Sequence, residues 1–321
     1  MKLLVLMFAL LALPAASPAF SQAPAGRTMR LVVPFPPGGA PDVLARMVAA
    51  RLSESGGVAS IVDNRPGANG VIAAEHVMKS PPDGQTLFMA DTGHYGINPA
   101  LRVNLPYSPL KDFAPVIEAT KSQLYISVGN ASPANTLQEL VALSKSKPGG
   151  LTYGSSGSGS VAHLAMELLR LESGGNFVHV PYKGVAQVVP ALLSGEVDVS
   201  VGGAGTLLPH QKAGKLRMLA AVNPDRWITM PQLPTAAEAG FPGVKMDISI
   251  GLLAPAGTPP EVINRLNPAV AAALRVPEMS EKLSSLGMDV IAGTPAQFAD
   301  SIRRQMDAYA RLVKASGAKV D

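Results

Sequence analysis

Arg30-Leu-Val-Val-Pro-Phe-Pro-Pro-Gly-Gly-Ala-Pro-Asp-Val-Leu44 passes from a short apolar strand through a proline- and glycine-rich loop into the start of a helix. Arg30 to Pro34 reads as the strand and Phe35 to Gly39 as the loop. Pro41 suits the first helical turn, where its missing N–H leaves nothing unpaired. Val43, Leu44, Met47, Val48 and Leu52 then recur along one helical face.

The same order repeats along the chain. Ser60 to Asp63 reads as a strand, Asn64 to Gly70 as a turn and Val71 to Lys79 as a helix. Thr86 to Ala90 reads as a strand ending in a polar loop, Asp91 to Asn98. After two β-rich runs, Pro115–Ile117 and Leu124–Val128, the rhythm restarts. Helices are expected at Thr136–Ser144, Val161–Leu171 and Val185–Ser194, and strands at Leu151–Tyr153, Phe177–Val180, Val197–Val201 and Leu216–Val222. Helical segments near Glu261–Leu274, Glu278–Leu286 and Pro295–Ala315 close the chain. Strand-loop-helix order of this kind implies an α/β fold with parallel strands and right-handed crossovers. The final helices lack a sheet of their own and must return to the first. Two lobes are therefore expected, each a mostly parallel sheet flanked by helices. One is discontinuous, from residues 27–123 and 225–321, and the other spans 124–224.

Length and composition agree. A chain of 321 residues suits two domains. With 47% hydrophobic and 16% charged residues it buries a core, which excludes global disorder. The 27 basic residues exceed the 23 acidic ones only slightly and are scattered, so no nucleic-acid footprint is present. The absence of cysteine excludes disulfides, thiolate metal sites, cysteine nucleophiles and iron–sulfur clusters. Residues 1–21 read as an export signal: Lys2, an 11-residue apolar run from Leu3 to Leu13, a break at Pro14–Pro18, and small residues around Ala19-Phe-Ser21. Cleavage is expected after Ser21, with Ala23 as the alternative. The run is too short for an anchor, and no later segment approaches about 18 consecutive apolar residues, so no membrane insertion is expected.

Chemistry belongs in the loops that leave the strands at their C-terminal ends, where open sheets bind ligands. Three such loops are 35–40, 91–98 and 154–160. The first and third lead into helices, whose first N–H groups are unpaired and carry partial positive charge, so both are candidate anion cradles or else simple tight turns. Pro37, Gly38 and Gly39, with Asp42 just inside the helix, come from the first loop. Asp91, Thr92, His94 and Asn98 come from the second, and Ser155, Ser156, Gly157 and Ser158 from the third. Lys183 and Gly184 follow a later strand, and Gly202 and Gly203 end another. Gly157-Ser-Gly-Ser-Val-Ala162 matches a relaxed dinucleotide pattern, but His179-Val-Pro-Tyr-Lys183 supplies no carboxylate at the end of the next strand. The phosphate-loop and nucleophile-elbow patterns fail at Ser160 and Ser158. None of the five histidines forms a close ligand pair, so neither metal nor cofactor is expected. Nor is a nucleophile with its base and orienting acid evident. Asp198 either reaches the cleft or caps a neighbouring helix.

Taken together these segments resemble the receptors of tripartite tricarboxylate transporters, the Bug family. The matching stretches are Val33–Gly39, Asp63–Gly70, Pro82–Leu87, Ile97–Pro99, Leu105–Tyr107, Asp112–Val116, Tyr153–Ser160, His179–Gly184, Leu208–His210, Pro234–Gly240 and Ala254–Pro259. They run in order over essentially the whole chain beyond the export signal. The resemblance implies a periplasmic binding protein of type II-like architecture, with two α/β lobes closing on a small carboxylate: a di- or tricarboxylate, or an aromatic acid. It implies a monomeric receptor that delivers solute to two integral inner-membrane proteins, without catalysis. It also implies that backbone groups and water of the first-strand and serine loops hold the carboxylate. The alternatives are an exported enzyme or a dinucleotide-binding protein on a similar scaffold. Some positions depart from the family pattern. Pro41 stands where a hydroxyl residue is expected, Ser200-Val-Gly-Gly203 replaces an aromatic and an Asp, and Ile248-Ser-Ile250 replaces a Ser-Trp-Tyr run. The last two changes remove bulk and imply room for a larger or flatter ligand.

Overall fold

The computed structural model describes residues 28–316, apart from 57, 58, 103, 228, 229 and 247. The export signal expected at 1–21 lies outside the described residues. β1 (Met29–Val33), α1 (Ala40–Gly56), β2 (Ser60–Asn64), α2 (Val71–Met78) and β3 (Thr86–Asp91) come first, as strand-loop-helix units. A π-helical turn at Gly93–Ile97 then runs into α3 (Asn98–Leu101), ahead of β4 (Phe113–Ser122). Next come β5 (Leu124–Gly129), α4 (Leu137–Ser146), β6 (Leu151–Ser155), α5 (Val161–Ser173), β7 (Phe177–Pro181), α6 (Val185–Ser194), β8 (Val199–Gly203), α7 (Ala204–Lys212) and β9 (Leu216–Ala221). β10 (Ser249–Pro255), α8 (Pro260–Leu274), α9 (Pro277–Ser285), β11 (Met288–Val290) and α10 (Pro295–Ser316) complete the chain.

The strands form two sheets, ordered β11-β4-β10-β3-β1-β2 and β7-β6-β8-β5-β9. Both sheets are mixed, where mostly parallel ones were expected. β1 is parallel to β2 and β3, and β6 to β7 and β8, because crossover helices join those strands. β10 runs antiparallel to β3 and β4, and β5 antiparallel to β8 and β9. β10 and β5 each arrive from the other lobe without a crossover helix, so nothing imposes the parallel direction.

Period-two alternation sends successive β1 residues to opposite faces. Leu31 and Val33 meet Leu44, Val48 and Leu52 of α1, together with α8 and α9. Val32 meets Ala73, Ala74 and Val77 of α2, and Phe298 and Ile302 of α10. Each such buried aliphatic side chain contributes about 1.5–3 kcal/mol. In the second lobe Tyr153, Val199 and Val201 pack on Leu164 and Leu168 of α5, while Tyr125 and Met218 pack on Leu192 and Leu207.

The boundary expected at 224–225 moves. Trp227 and Met230 pack with β9, and Ala236, Val244 and Met246 join the core beneath α5. Ala236 N–H donates to Ala221 O at 2.7 Å and Met246 N–H to Val222 O at 2.8 Å. This segment covers the outer edge of β9, and the chain returns to the first sheet only at Ile248. α10 spans both lobes, because its Tyr309 and Val313 belong to the second core. The crossings lie side by side. Ser122 N–H donates to Ile248 O at 2.9 Å, Leu124 N–H to Asn223 Oδ1 at 2.8 Å, and Asn223 Nδ2 to Ser122 O at 2.8 Å.

Candidate functional site

The loops after β1 and β6 face each other across a cavity of about 180 Å³. Gly39 and Ala40, at the start of α1, and Ser160, Val161 and Ala162, at the start of α5, both line it. The first N–H groups of a helix lack intrahelical partners, so two positive helix ends from different lobes open into one space. α1 is anchored at that end by Asp42, whose Oδ2 accepts Gly38 N–H at 2.9 Å. α5 is capped by Ser160, whose Oγ accepts His163 N–H at 3.3 Å. At the far end the cavity reaches the lobe crossing, where Ser122, Gln123, Leu124, Ile248, Leu286 and Met288 line it.

The lobes touch directly around this space. Asn69 Nδ2 donates to Asn98 Oδ1 at 2.8 Å within the first lobe and to Gly159 O of the second at 3.1 Å. A Cβ at Gly184 would lie only 3.2 Å from Pro36 Cγ, so the two loops approach as closely as glycine permits.

Of the residues singled out from the sequence, Pro37, Gly38, Gly39, Asp91, Ser156, Gly202 and Gly203 line the cavity. The others do not, and most have other work. Asp42 is buried beneath the first loop. Burial alone would push its carboxyl up, yet hydrogen bonds from Arg46, Gly38 and Asn64 hold it below the ordinary range. Thr92 accepts Ser249 N–H at 2.9 Å and bonds Gln305. His94 is buried between Phe35 and Phe88, under a turn where Gly70, at φ 81°, leaves no room for a Cβ. Asn98 donates to Asn69 O and to the Tyr107 hydroxyl. Beyond the end of β3 at Asp91, residues 92–98 are thus helical and buried, not a loop, because Thr92 and Asn98 are hydrogen-bonded within the protein and His94 is packed between aromatic rings. Ser155 Oγ lies 2.6 Å from His179 Nε2, and Gly157 makes the turn at φ 129°. Ser158 is half-buried off the cavity, and Lys183 is exposed, its N–H bonded to Gln187. Asp198 neither reaches the cleft nor caps a helix. It accepts Thr152 N–H and Oγ1 and pairs with Lys147.

Asn69, Ser122, Gln123, Ser160 and the apolar wall at Leu286–Met288 escaped the sequence reading. The Asn-Gly doublet at 69–70 was a usable signal, since Asn69 takes φ 50°, a left-handed conformation that asparagine tolerates. The crossing residues carried no signal.

Among the described residues no lysine, arginine or histidine lines the cavity, and its one carboxylate is Asp91, whose Oδ1 accepts Gly93 N–H at 2.8 Å. Behind the serine loop, Tyr153, His179 and His163 stack, with the two imidazoles 4.1 Å apart. Burial, then the neighbouring His163, lowers His179 to about 4, and burial also lowers His163. Both rings are therefore neutral near pH 7, and they hold the loop through Ser155 and through Gly159 N–H, which donates to His163 Nδ1 at 3.1 Å. Among the described residues no cluster suits a metal ion, and no helix is long and apolar enough to cross a membrane.

Residues 44–318 match the family described as the tripartite tricarboxylate transporter family receptor. Protein BugT of Bordetella pertussis is 33% identical over 306 residues, which cover 95% of this chain and 94% of that protein. Two solved structures share the architecture. Rpa4515 of R. palustris with adipate has a TM-score of 0.88 at 35% identity, covering 93% of this chain and all of that one. MatC from Rhodopseudomonas palustris with bound malate has a TM-score of 0.85 at 31% identity, covering 91% of this chain and all of that one.

Proposed function

The chain belongs to the tripartite tricarboxylate transporter receptor family, and we propose that it is a periplasmic receptor that binds a small carboxylate between its lobes and delivers it to two inner-membrane transporter proteins. The observation that carries the reading is the pair of helix N-termini, α1 and α5, opening from different lobes into one cavity whose lining, among the described residues, holds no lysine, arginine or histidine. Each helix end stabilises an anion by roughly 0.3–1 kcal/mol at a surface, and by more where water is excluded. Neither lobe alone supplies both ends, so the ligand favours the closed arrangement and its presence is reported by the outer surface of the closed lobes. The structural neighbours bound to adipate and malate support the ligand class. The chain acts as a monomer, is exported through residues 1–21 and catalyses no reaction.

Thermal-shift screening tests this. A ligand at one hundred times its Kd stabilises by about 2.7 kcal/mol, a clear rise in Tm. Carboxylates should raise Tm while the corresponding alcohols and amides leave it unchanged. If neutral analogues shift Tm as much as the acids do, the helix ends are not an anion site.

A further inference from the structure

The crossing end of the cavity differs from the helix ends. Ser122 and Gln123 are each more than nine-tenths buried, at 7% and 9% exposure, and both line the cavity. Their backbones are fully engaged. Ser122 N–H donates to Ile248 O, Gln123 N–H to Gly287 O, and Gln123 O accepts Ala204 N–H. Their side chains are not. Ser122 Oγ and Gln123 Oε1 are buried without a protein hydrogen-bond partner. Other polar residues of the lining are bonded within the protein: Asn69 to Asn98 and Gly159, Ser160 to His163, and Thr206 to Gly203. A buried polar atom left unpaired is costly unless something supplies its partner. The walls here, Leu124, Ile248, Leu286 and Met288, cannot.

We propose that Ser122 and Gln123 form a second recognition point, for a hydroxyl at the distal end of the ligand, so that the solute is a monocarboxylate with an apolar body and a distal hydroxyl. The proposal rests on the carboxylate-receptor reading. A hydroxyl donates to Gln123 Oε1 and accepts from Ser122 Oγ, satisfying both atoms. A second carboxylate has no proton to give Gln123 Oε1. With the amide turned end for end, it would still meet only neutral donors, among apolar walls and with the Asp91 carboxylate in the same cavity. A buried charge without a cationic partner is disfavoured. The cavity, about 180 Å³, holds on the order of a dozen water-sized sites, enough for such an acid.

Titration calorimetry on the purified protein separates the possibilities. The probes are matched straight-chain sets of four, six and eight carbons: the plain acid, the ω-hydroxy acid, the diacid and the neutral diol. At the best length the hydroxy acid should bind at least tenfold more tightly than the plain acid and the diacid. Ser122→Ala with Gln123→Leu should reduce that advantage to about twofold, through weaker binding of the hydroxy acid. Removing the two unpaired groups should leave the Tm of the free protein unchanged or raised, which shows that the variant folds. If the double variant does not fold, Ser122→Ala alone carries the comparison. A diacid that binds most tightly, no gain from the hydroxyl, or a gain that survives in the variants overturns the second recognition point while the carboxylate reading stands. Acids that bind no better than the diols overturn both.

Discussion

Gly184→Ser is a wedge set into the contact between the lobes. Gly184 sits at φ 168°, ψ 168°, an extended conformation open to any residue, so serine brings no backbone strain of its own. It is also the N-cap of α6, where serine serves well, its Oγ within reach of the first turn. Its Cβ, however, would lie 3.2 Å and 3.3 Å from Pro36 Cγ and Cδ, inside the 3.5–4.0 Å at which carbon atoms attract. In a rigid core such overpacking costs about 1–3 kcal/mol. Here the contact joins two lobes, and the strain is relieved if they part by a few tenths of an ångström. The cost therefore falls on the closed state alone, at about 1 kcal/mol, and ligand affinity should drop about fivefold. The Tm of the free protein should not fall. Titration with any acid that raises the wild-type Tm gives the affinity, and small-angle scattering gives the radius of gyration of the liganded form, which should be slightly larger. Adding Pro36→Ala removes the clashing atoms and should abolish the effect of the serine, judged against Pro36→Ala alone. Unchanged affinity and unchanged radius in Gly184→Ser would show that ligand binding does not depend on closure at this contact.

Asn69→Gly keeps the left-handed backbone but removes the bond to Gly159 O and leaves the buried Asn98 Oδ1 without its donor. Denaturant unfolding should show a loss of about 1–3 kcal/mol together with weaker ligand binding, and wild-type values for both would mean that neither bond contributes. His179 is held near 4 when folded and titrates near 6.5 when unfolded, so the unfolded chain binds the extra proton between these values. Stability should therefore fall as pH drops through that window, by about 1–2 kcal/mol after allowing for solvent screening. His179→Gln should flatten the stability-against-pH curve over that interval, and an equally steep slope would remove the imidazole from the explanation. Burial opposes ionisation of Asp42, but hydrogen bonds from Arg46, Gly38 and Asn64 hold it below the ordinary carboxylate range, so its contribution is lost only at lower pH, in a separate window. Asp42→Asn should cost about 1–3 kcal/mol of unfolding free energy at pH 7, because Gly38 N–H, Arg46 and Asn64 all donate to that carboxylate, and a cost under a few tenths would mean the three donors find water instead.

The strand-loop-helix units were legible in the sequence because their signals are local. The apolar spacing of Val43, Leu44, Met47 and Val48, the proline at 41 and the glycines at 38 and 39 announce α1 and its approach without reference to any distant residue. The serine loop and α5 announce themselves in the same way, which is why the two helix ends of the cavity could be found early. β10 could not be read so, because Ser249–Pro255 is buried on both faces and shows neither helical nor alternating period. The mixed sheets followed from where β5 and β10 enter, which is a matter of topology. Thr92, His94 and Asn98 looked like ligand residues because they are polar and follow a strand. Only the packed structure shows that Gln305 and Ser249 bond Thr92, that Asn69 and Tyr107 bond Asn98, and that His94 is packed between Phe35 and Phe88. The bond from Asn69 to Gly159 joins residues 90 positions apart, and the unpaired Ser122 and Gln123 side chains depend on the return of the chain at Ile248 and Gly287. The sequence by itself determined most of the strand-loop-helix units and the glycine-rich turns within them, because those follow from short-range spacing and backbone preference. The tertiary structure alone decided which polar groups are satisfied and which remain free to meet a ligand, because burial and pairing depend on what the rest of the chain brings alongside.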